Sequence, residues 1–174
     1  MSATADCSDS DLAAVRAQLG RPPRGVRSVA HRCPCGLPDV VETAPRLPDG
    51  TPFPTLFYVT CPRLTGAVST LEAAGLMREM TARLDTDTSL ATAMHASHQA
   101  YLARREQLAV VPEIAGISAG GMPGRVKCLH VLVGHALAQG PGANRLGDEA
   151  LQLVEPWWAA GPCRDPAGGG TSVP

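Results

Sequence analysis

The sequence predicts an α+β fold: a small three-stranded antiparallel sheet followed by a layer of three to four helices. Three observations predict it. Residues 26–60 are rich in β-formers and punctuated by prolines, the pattern of short strands with tight links. After Pro62 the apolar residues change to helical spacing, at Val68, Leu71, Leu76, Met80 and Leu84. Glycine and proline close helical runs at Gly20 and at Gly140-Pro141-Gly142.

Taken in order, residues 1–10 read as a disordered tail, and Ser10-Asp11 can cap a short helix over 11–19 that stops at Gly20. Strands are expected at 26–32, 40–44 and 55–60, the last two joined by a Pro- and Gly-containing turn. A helix is expected over 65–84, with Ser69 and Glu72 at capping-box spacing if it starts there. A second helix spans 87–108. His95, His98, Arg104 and Arg105 on it read as a solvated polar face. A third covers 125–138 and a short last one 147–153. The expected organisation is one globular domain over 11–155 with a flexible Gly/Pro-rich tail over 156–174.

Composition bounds the function. The chain is 44% hydrophobic and 18% charged, which marks a globular protein. Its formal net charge of −1 gives no global attraction to nucleic acid or to a membrane surface. No run of about 18 apolar residues reads as a membrane span. The N-terminus has no basic segment followed by an apolar one, so the expected location is the cytoplasm. Arginine supplies all the basic residues except Lys127, and with the high Ala, Gly and Pro content this suggests a GC-rich bacterial source.

Cytoplasmic thiols stay reduced, so the six cysteines ask for a reading other than disulfides. Cys7 and Cys163 lie in the expected tails. Cys33 and Cys35 link strands one and two, and Cys61 follows strand three. An up-down-up meander brings those ends to one sheet edge. Cys128, after the glycine-rich loop, can dock there. Cys33, Cys35, Cys61 and Cys128 then form a candidate tetrahedral thiolate site, with zinc favoured over an iron–sulfur cluster because no known cluster spacing is matched. The fourth ligand is either Cys35 or His130, and His130 can join Cys128 only where the backbone is not yet helical. Buried cysteines that fill space, or a redox pair, are the competing readings.

Residues 118–127 form a glycine-rich entry to a helix, with Arg125 and Lys127 at its end. Gly120, Gly121, Arg125 and Lys127 are the candidate anion-binding residues, for a small ligand such as phosphate or carboxylate on a concave surface shared with His135. The loop is not a Walker A sequence. His135 and Asp148 are the candidate general bases if the protein is a metal-dependent hydrolase or transferase. A non-metal interaction module is the other alternative, and the sequence does not decide whether the chain is an enzyme.

Four strings carry a resemblance: Arg32-Cys-Pro-Cys-Gly-Leu-Pro38, Thr43-Ala-Pro-Arg-Leu-Pro-Asp-Gly-Thr-Pro-Phe-Pro-Thr55, Gly121-Met-Pro-Gly-Arg-Val-Lys-Cys-Leu-His130 and Gly140-Pro-Gly-Ala-Asn144. Together they resemble the domain of unknown function 501 family, short and mostly actinobacterial proteins, over roughly residues 10–155. The resemblance implies a bacterial cytoplasmic protein and implies no activity.

Overall fold

The computed structural model describes residues 5–154 and 156–164. The expected tail over 165–174 lies outside them. The sheet is antiparallel with strand order β1-β2-β3-β4: Ala5–Asp6 (β1), Val26–Arg32 (β2), Pro38–Thr43 (β3) and Phe57–Val59 (β4). The expected meander is β2-β3-β4. The addition is β1, which pairs with Val29 and Ser28, so part of the supposed N-terminal tail is an edge strand. Helix α1, Asp9–Leu19, starts two residues earlier than expected because Ser8 caps it in a reciprocal box with Asp11.

The helical half is α2 (Pro62–Ala73), α3 (Leu76–Thr86), α4 (Thr88–Leu108), α5 (Leu129–Gln139) and α6 (Arg145–Leu153). The single helix expected over 65–84 is two. Gly75, at φ 92, sits in the left-handed region between α2 and α3 and breaks the run where an L-residue would be strained. No capping box forms at Ser69. Helix α2 begins at Pro62, whose missing N–H costs nothing at the first helical position, and Ser69 and Glu72 lie inside it. Asp87 caps α4 through Leu90 N at 3.0 Å. Helix α5 starts at Leu129, four residues later than expected.

Strand β3 is buried along its whole length. Helix α5 lies against β2, β3 and β4, and α6 packs on α5. The core where these layers meet is built on Leu56, Phe57, Leu64, Tyr101, Leu129, Leu132 and Leu146, all 1% exposed or less. Tyr101 Oη accepts a hydrogen bond from Leu56 N at 2.6 Å, tying α4 to the strand entry. The α5–α6 contact depends on Gly147: a Cβ there would lie 2.2 Å from Leu132 O.

The polar face expected on α4 is largely internal. Arg104 clamps the buried Glu42 of β3 through two bonds of 2.8 and 2.9 Å. Arg105 is buried and donates to the carbonyls of Pro54, Ile114 and Ile117, so its guanidinium organises three loop segments. His98 is buried against Ser118 Oγ at 2.8 Å, while His95 is exposed.

Candidate metal centre

The turn after β2 is tight. Cys33 N donates to Leu37 O at 3.0 Å and Gly36 N to Cys33 O at 2.8 Å, with Gly36 at φ 88. This fold of residues 33–36 turns two thiols the same way, and Cys35 N points at Cys33 Sγ from 3.5 Å. The third thiol comes from the far end of the chain. Residues 156–164 fold back over the N-terminal end of α2: Arg63 Nε donates to Pro162 O at 3.0 Å, and Gln18 Nε2 donates to both Pro38 O (2.7 Å) and Cys163 O (2.8 Å). Cys163 N then donates to Cys35 Sγ at 3.3 Å. The sulfurs of Cys33, Cys35 and Cys163 all lie within 4.8 Å of one another.

Cys61 caps α2 at the end of the β4 connection and is fully buried. Its thiol helps to raise that of Cys163, but Cys61 is not part of the group of sulfurs within 4.8 Å of one another. Burial pushes the Cys33 and Cys163 thiols above the ordinary range. Burial opposes ionisation of Cys35 too, but N–H donors from Cys163 and Leu37 outweigh it and bring that thiol below its ordinary value. Two buried polar atoms without a partner among the described residues belong to residues tied to these cysteines through the backbone: Gln18 Oε1, whose Nε2 donates to Cys163 O, and Thr60 Oγ1, next in the chain to Cys61. Such atoms mark places where water or an ion is expected.

The expected convergence of Cys33, Cys61 and Cys128 does not occur. Cys128 is gathered instead with Glu72 and His130, whose ligating atoms lie within 4.8 Å of one another. The reason is the position of α2. Cys61 stands at its N-cap and Glu72 eleven residues on, about 16 Å along the axis at 1.5 Å per residue. Cys128 docks near the far end. It is the N-cap of α5 in extended conformation (φ −153, ψ 112), and this non-helical backbone lets His130 swing to the same side. Cys128 Sγ is 3.9 Å from His130 Nδ1. Glu72 Oε1 accepts from Leu129 N at 2.8 Å and lies 3.2 Å from His130 Nδ1. His130 Nε2 lies 3.2 Å from Thr65 O and 3.4 Å from Ser69 Oγ.

This second cluster is polarised. The Cys128 thiol, with help from the Thr65 carbonyl and Glu72 and against burial, pushes His130 up to about 9. Burial raises Cys128, but the His130 ring and the Val131 N–H outweigh it, so the thiol falls below its ordinary range. Cys128 and His130 line a cleft of about 320 Å³ with Thr65, Phe57, Val59 and Val131.

A family model described as protein of unknown function, DUF501, matches residues 29–152. The chain belongs to the DUF501 family. No curated protein and no solved structure matches it. Both clusters draw on the DUF501 region, but Cys163 lies beyond the matched residues.

In the DUF501 chain the glycine-rich loop is held by its own backbone hydrogen bonds. Lys127 N donates to Gly120 O at 2.7 Å and Arg125 N to Gly121 O at 3.2 Å, so the loop closes on itself. A Cβ on Gly121 would meet Arg125 O at 2.8 Å. The glycines therefore serve the turn, and the N–H of Leu129 at the start of α5 is taken by Glu72. Arg125 and Lys127 are exposed. They share no surface with His135, which is 1% exposed. The His135 ring stacks on Phe57 and meets Tyr101 edge-on, and its Nδ1 lies 3.3 Å from Asn144 Nδ2. Burial lowers it to about 4, so it is a neutral core residue. Asp148 accepts from Gly142 N at 2.8 Å and fixes the turn before α6.

Sequence reasoning missed two residues of these clusters. Cys163 falls where Gly/Pro-rich composition reads as a flexible tail, although both tryptophans of a chain that is only 3% aromatic stand just before it, and Trp157 packs against the core. Glu72 reads from the sequence as half of a capping box with Ser69. Among the described residues no helix is long and apolar enough to cross a membrane.

Proposed function

We propose that this protein binds one zinc ion through Cys33, Cys35, Cys61 and Cys163, and that the ion pins residues 156–164 to the sheet. The observation that carries the reading is the gathering of three sulfurs within 4.8 Å from places as far apart in the chain as Cys35 and Cys163. Around one tetrahedral zinc with Zn–S near 2.3 Å, neighbouring sulfurs lie about 3.8 Å apart, so small side-chain rotations close the three-sulfur set, and Cys61, buried at the N-cap of α2, is the fourth ligand. N–H donors already aimed at the Cys33 and Cys35 sulfurs suit thiolates. Four soft ligands favour zinc or iron, and zinc is preferred because the Cys33/Cys35 spacing matches no iron–sulfur pattern. A closed four-thiolate site supports folding and leaves no position for substrate.

The test is elemental analysis of untagged protein. Cys163→Ala and Cys33→Ala are expected to lose one ion per chain relative to wild type, and Cys7→Ala none. Wild-type metal content in Cys163→Ala would refute the reading.

A further inference from the structure

The cluster of Glu72, Cys128 and His130 stands apart from the four cysteines and has a different character. Its three ligating atoms are a sulfur, a ring nitrogen and a carboxylate oxygen, supplied by α2 and by the entry to α5. Around a tetrahedral zinc, with bonds of about 2.3 Å to sulfur and 2.0–2.2 Å to nitrogen and oxygen, adjacent S–N and N–O pairs lie roughly 3.5 and 3.3 Å apart. The corresponding distances here are 3.9 Å (Cys128 Sγ to His130 Nδ1) and 3.2 Å (His130 Nδ1 to Glu72 Oε1).

The surroundings match the same chemistry. His130 Nε2 is engaged by the Thr65 carbonyl, the arrangement that fixes a ligating histidine's tautomer and leaves Nδ1 free to bind a metal. Glu72 is oriented by the Leu129 N–H. Cys128 and His130 line the cleft, and the side chains of His130 and Glu72 are 24% and 22% exposed, which corresponds to an open site rather than a closed structural one.

We propose that Cys128 Sγ, His130 Nδ1 and Glu72 Oε1 hold a second divalent ion of the zinc class, whose fourth position opens on the cleft beside β4. The cleft of about 320 Å³ is at the small end of ligand sites. Phe57, Val59 and Val131 give it an apolar wall. It takes a small ligand with a metal-binding oxygen or sulfur head and a short apolar body. At rest a water fills the fourth position, and the ion lowers that water's pKa.

The experiment uses full-length untagged protein loaded with cobalt(II) in place of zinc, with ion content and the visible absorption spectrum as readouts and acetohydroxamate as the probe. Wild type is expected to hold two ions per chain. Cys128→Ala and His130→Ala are each expected to hold one, with circular dichroism like that of wild type. Acetohydroxamate should shift the spectrum of wild type and of Cys163→Ala and leave that of Cys128→Ala unchanged. Full ion content in both Cys128→Ala and His130→Ala overturns the proposal, as does a wild-type spectrum blind to acetohydroxamate. An ion lost from Cys163→Ala alone would refute this site and leave the four-cysteine reading standing. An ion lost from Cys128→Ala and His130→Ala alone would do the reverse. Should Cys128→Ala fail to fold, His130→Ala decides by the same measurements.

Discussion

On the proposed zinc reading, chelation should loosen one end of the molecule by a calculable amount. An ion that binds the folded chain only stabilises it by about 2.7 kcal/mol at a free concentration 100 times Kd and about 4.1 kcal/mol at 1,000 times Kd. For a chain of this size each kcal/mol moves the melting temperature by roughly 2–4 °C. Chelation should therefore lower Tm by about 5–16 °C. The comparison is cleanest in the Cys128→Ala chain, where only the four-cysteine site answers. Adding Cys163→Ala should reproduce the chelated Tm within a few degrees, because the lost buried sulfur costs only about 1 kcal/mol by itself, and further chelator should then do nothing. Besides the thiols, residues 156–164 are held to the body by few side-chain bonds, chiefly those of Arg63 and Gln18. Chelation should thus speed chymotryptic cleavage after Trp157 or Trp158. A melting temperature indifferent to chelator, with unchanged cleavage, would refute the reasoning.

Three further outcomes test the frame that positions the sites. Gly147→Ala places a Cβ 2.2 Å from Leu132 O and must separate two helix backbones. It should cost at least about 2 kcal/mol, and a variant melting within about 2 °C of wild type would contradict the close approach. Tyr101→Phe leaves the buried Leu56 N–H without its 2.6 Å acceptor and should lose about 1–3 kcal/mol in urea unfolding; an unchanged midpoint would show that this N–H finds another partner. Arg32 holds the Asp11 carboxyl down to about 2, below its ordinary 3.8. A depressed carboxyl stabilises the fold above its unfolded pKa and loses that contribution as pH falls through the folded one. Stability should accordingly drop between about pH 4 and pH 2 by about 1–2 kcal/mol, discounted because the Arg32 side chain is 42% exposed. Asp11→Asn should flatten that segment of the pH–stability curve, and an identical curve would remove Asp11 as its source.

The meander and the helical order were legible because they rest on local signals. β-formers and prolines mark β2, β3 and β4, and Gly140 ends α5. What was not legible depended on tertiary contacts. The pairing of β1 with Val29 and Ser28 has no local signature in two residues. The burial of Arg105 follows from three carbonyls contributed by Pro54, Ile114 and Ile117, which no helical periodicity announces. Cys163 failed for a related reason: a Gly/Pro-rich composition reads as a tail, and only the return of that segment over Arg63 and Gln18 shows otherwise.

Glu72 was a different kind of failure, since its signal is in the sequence. Pro62 directly after Cys61 is a helix-start pair, with proline at the first helical position. Starting the helix there puts Thr65, Ser69 and Glu72 at i, i+4 and i+7, on one stripe. The Thr65 carbonyl, the Ser69 hydroxyl and the Glu72 carboxylate are the three groups of α2 that face His130. Starting the helix at Ser69 instead assigns Ser69 and Glu72 to each other as a capping box and hides the stripe. The same choice governs the cysteines. With Cys61 at the N-cap, α2 becomes a spacer of about three turns between Cys61 and Glu72. A chain that carries thiols at both ends of such a spacer cannot gather them around one ion. It makes two clusters, one of three thiols gathered near the N-terminal end of α2, the other mixed in donor type and bordering the cleft at its C-terminal end.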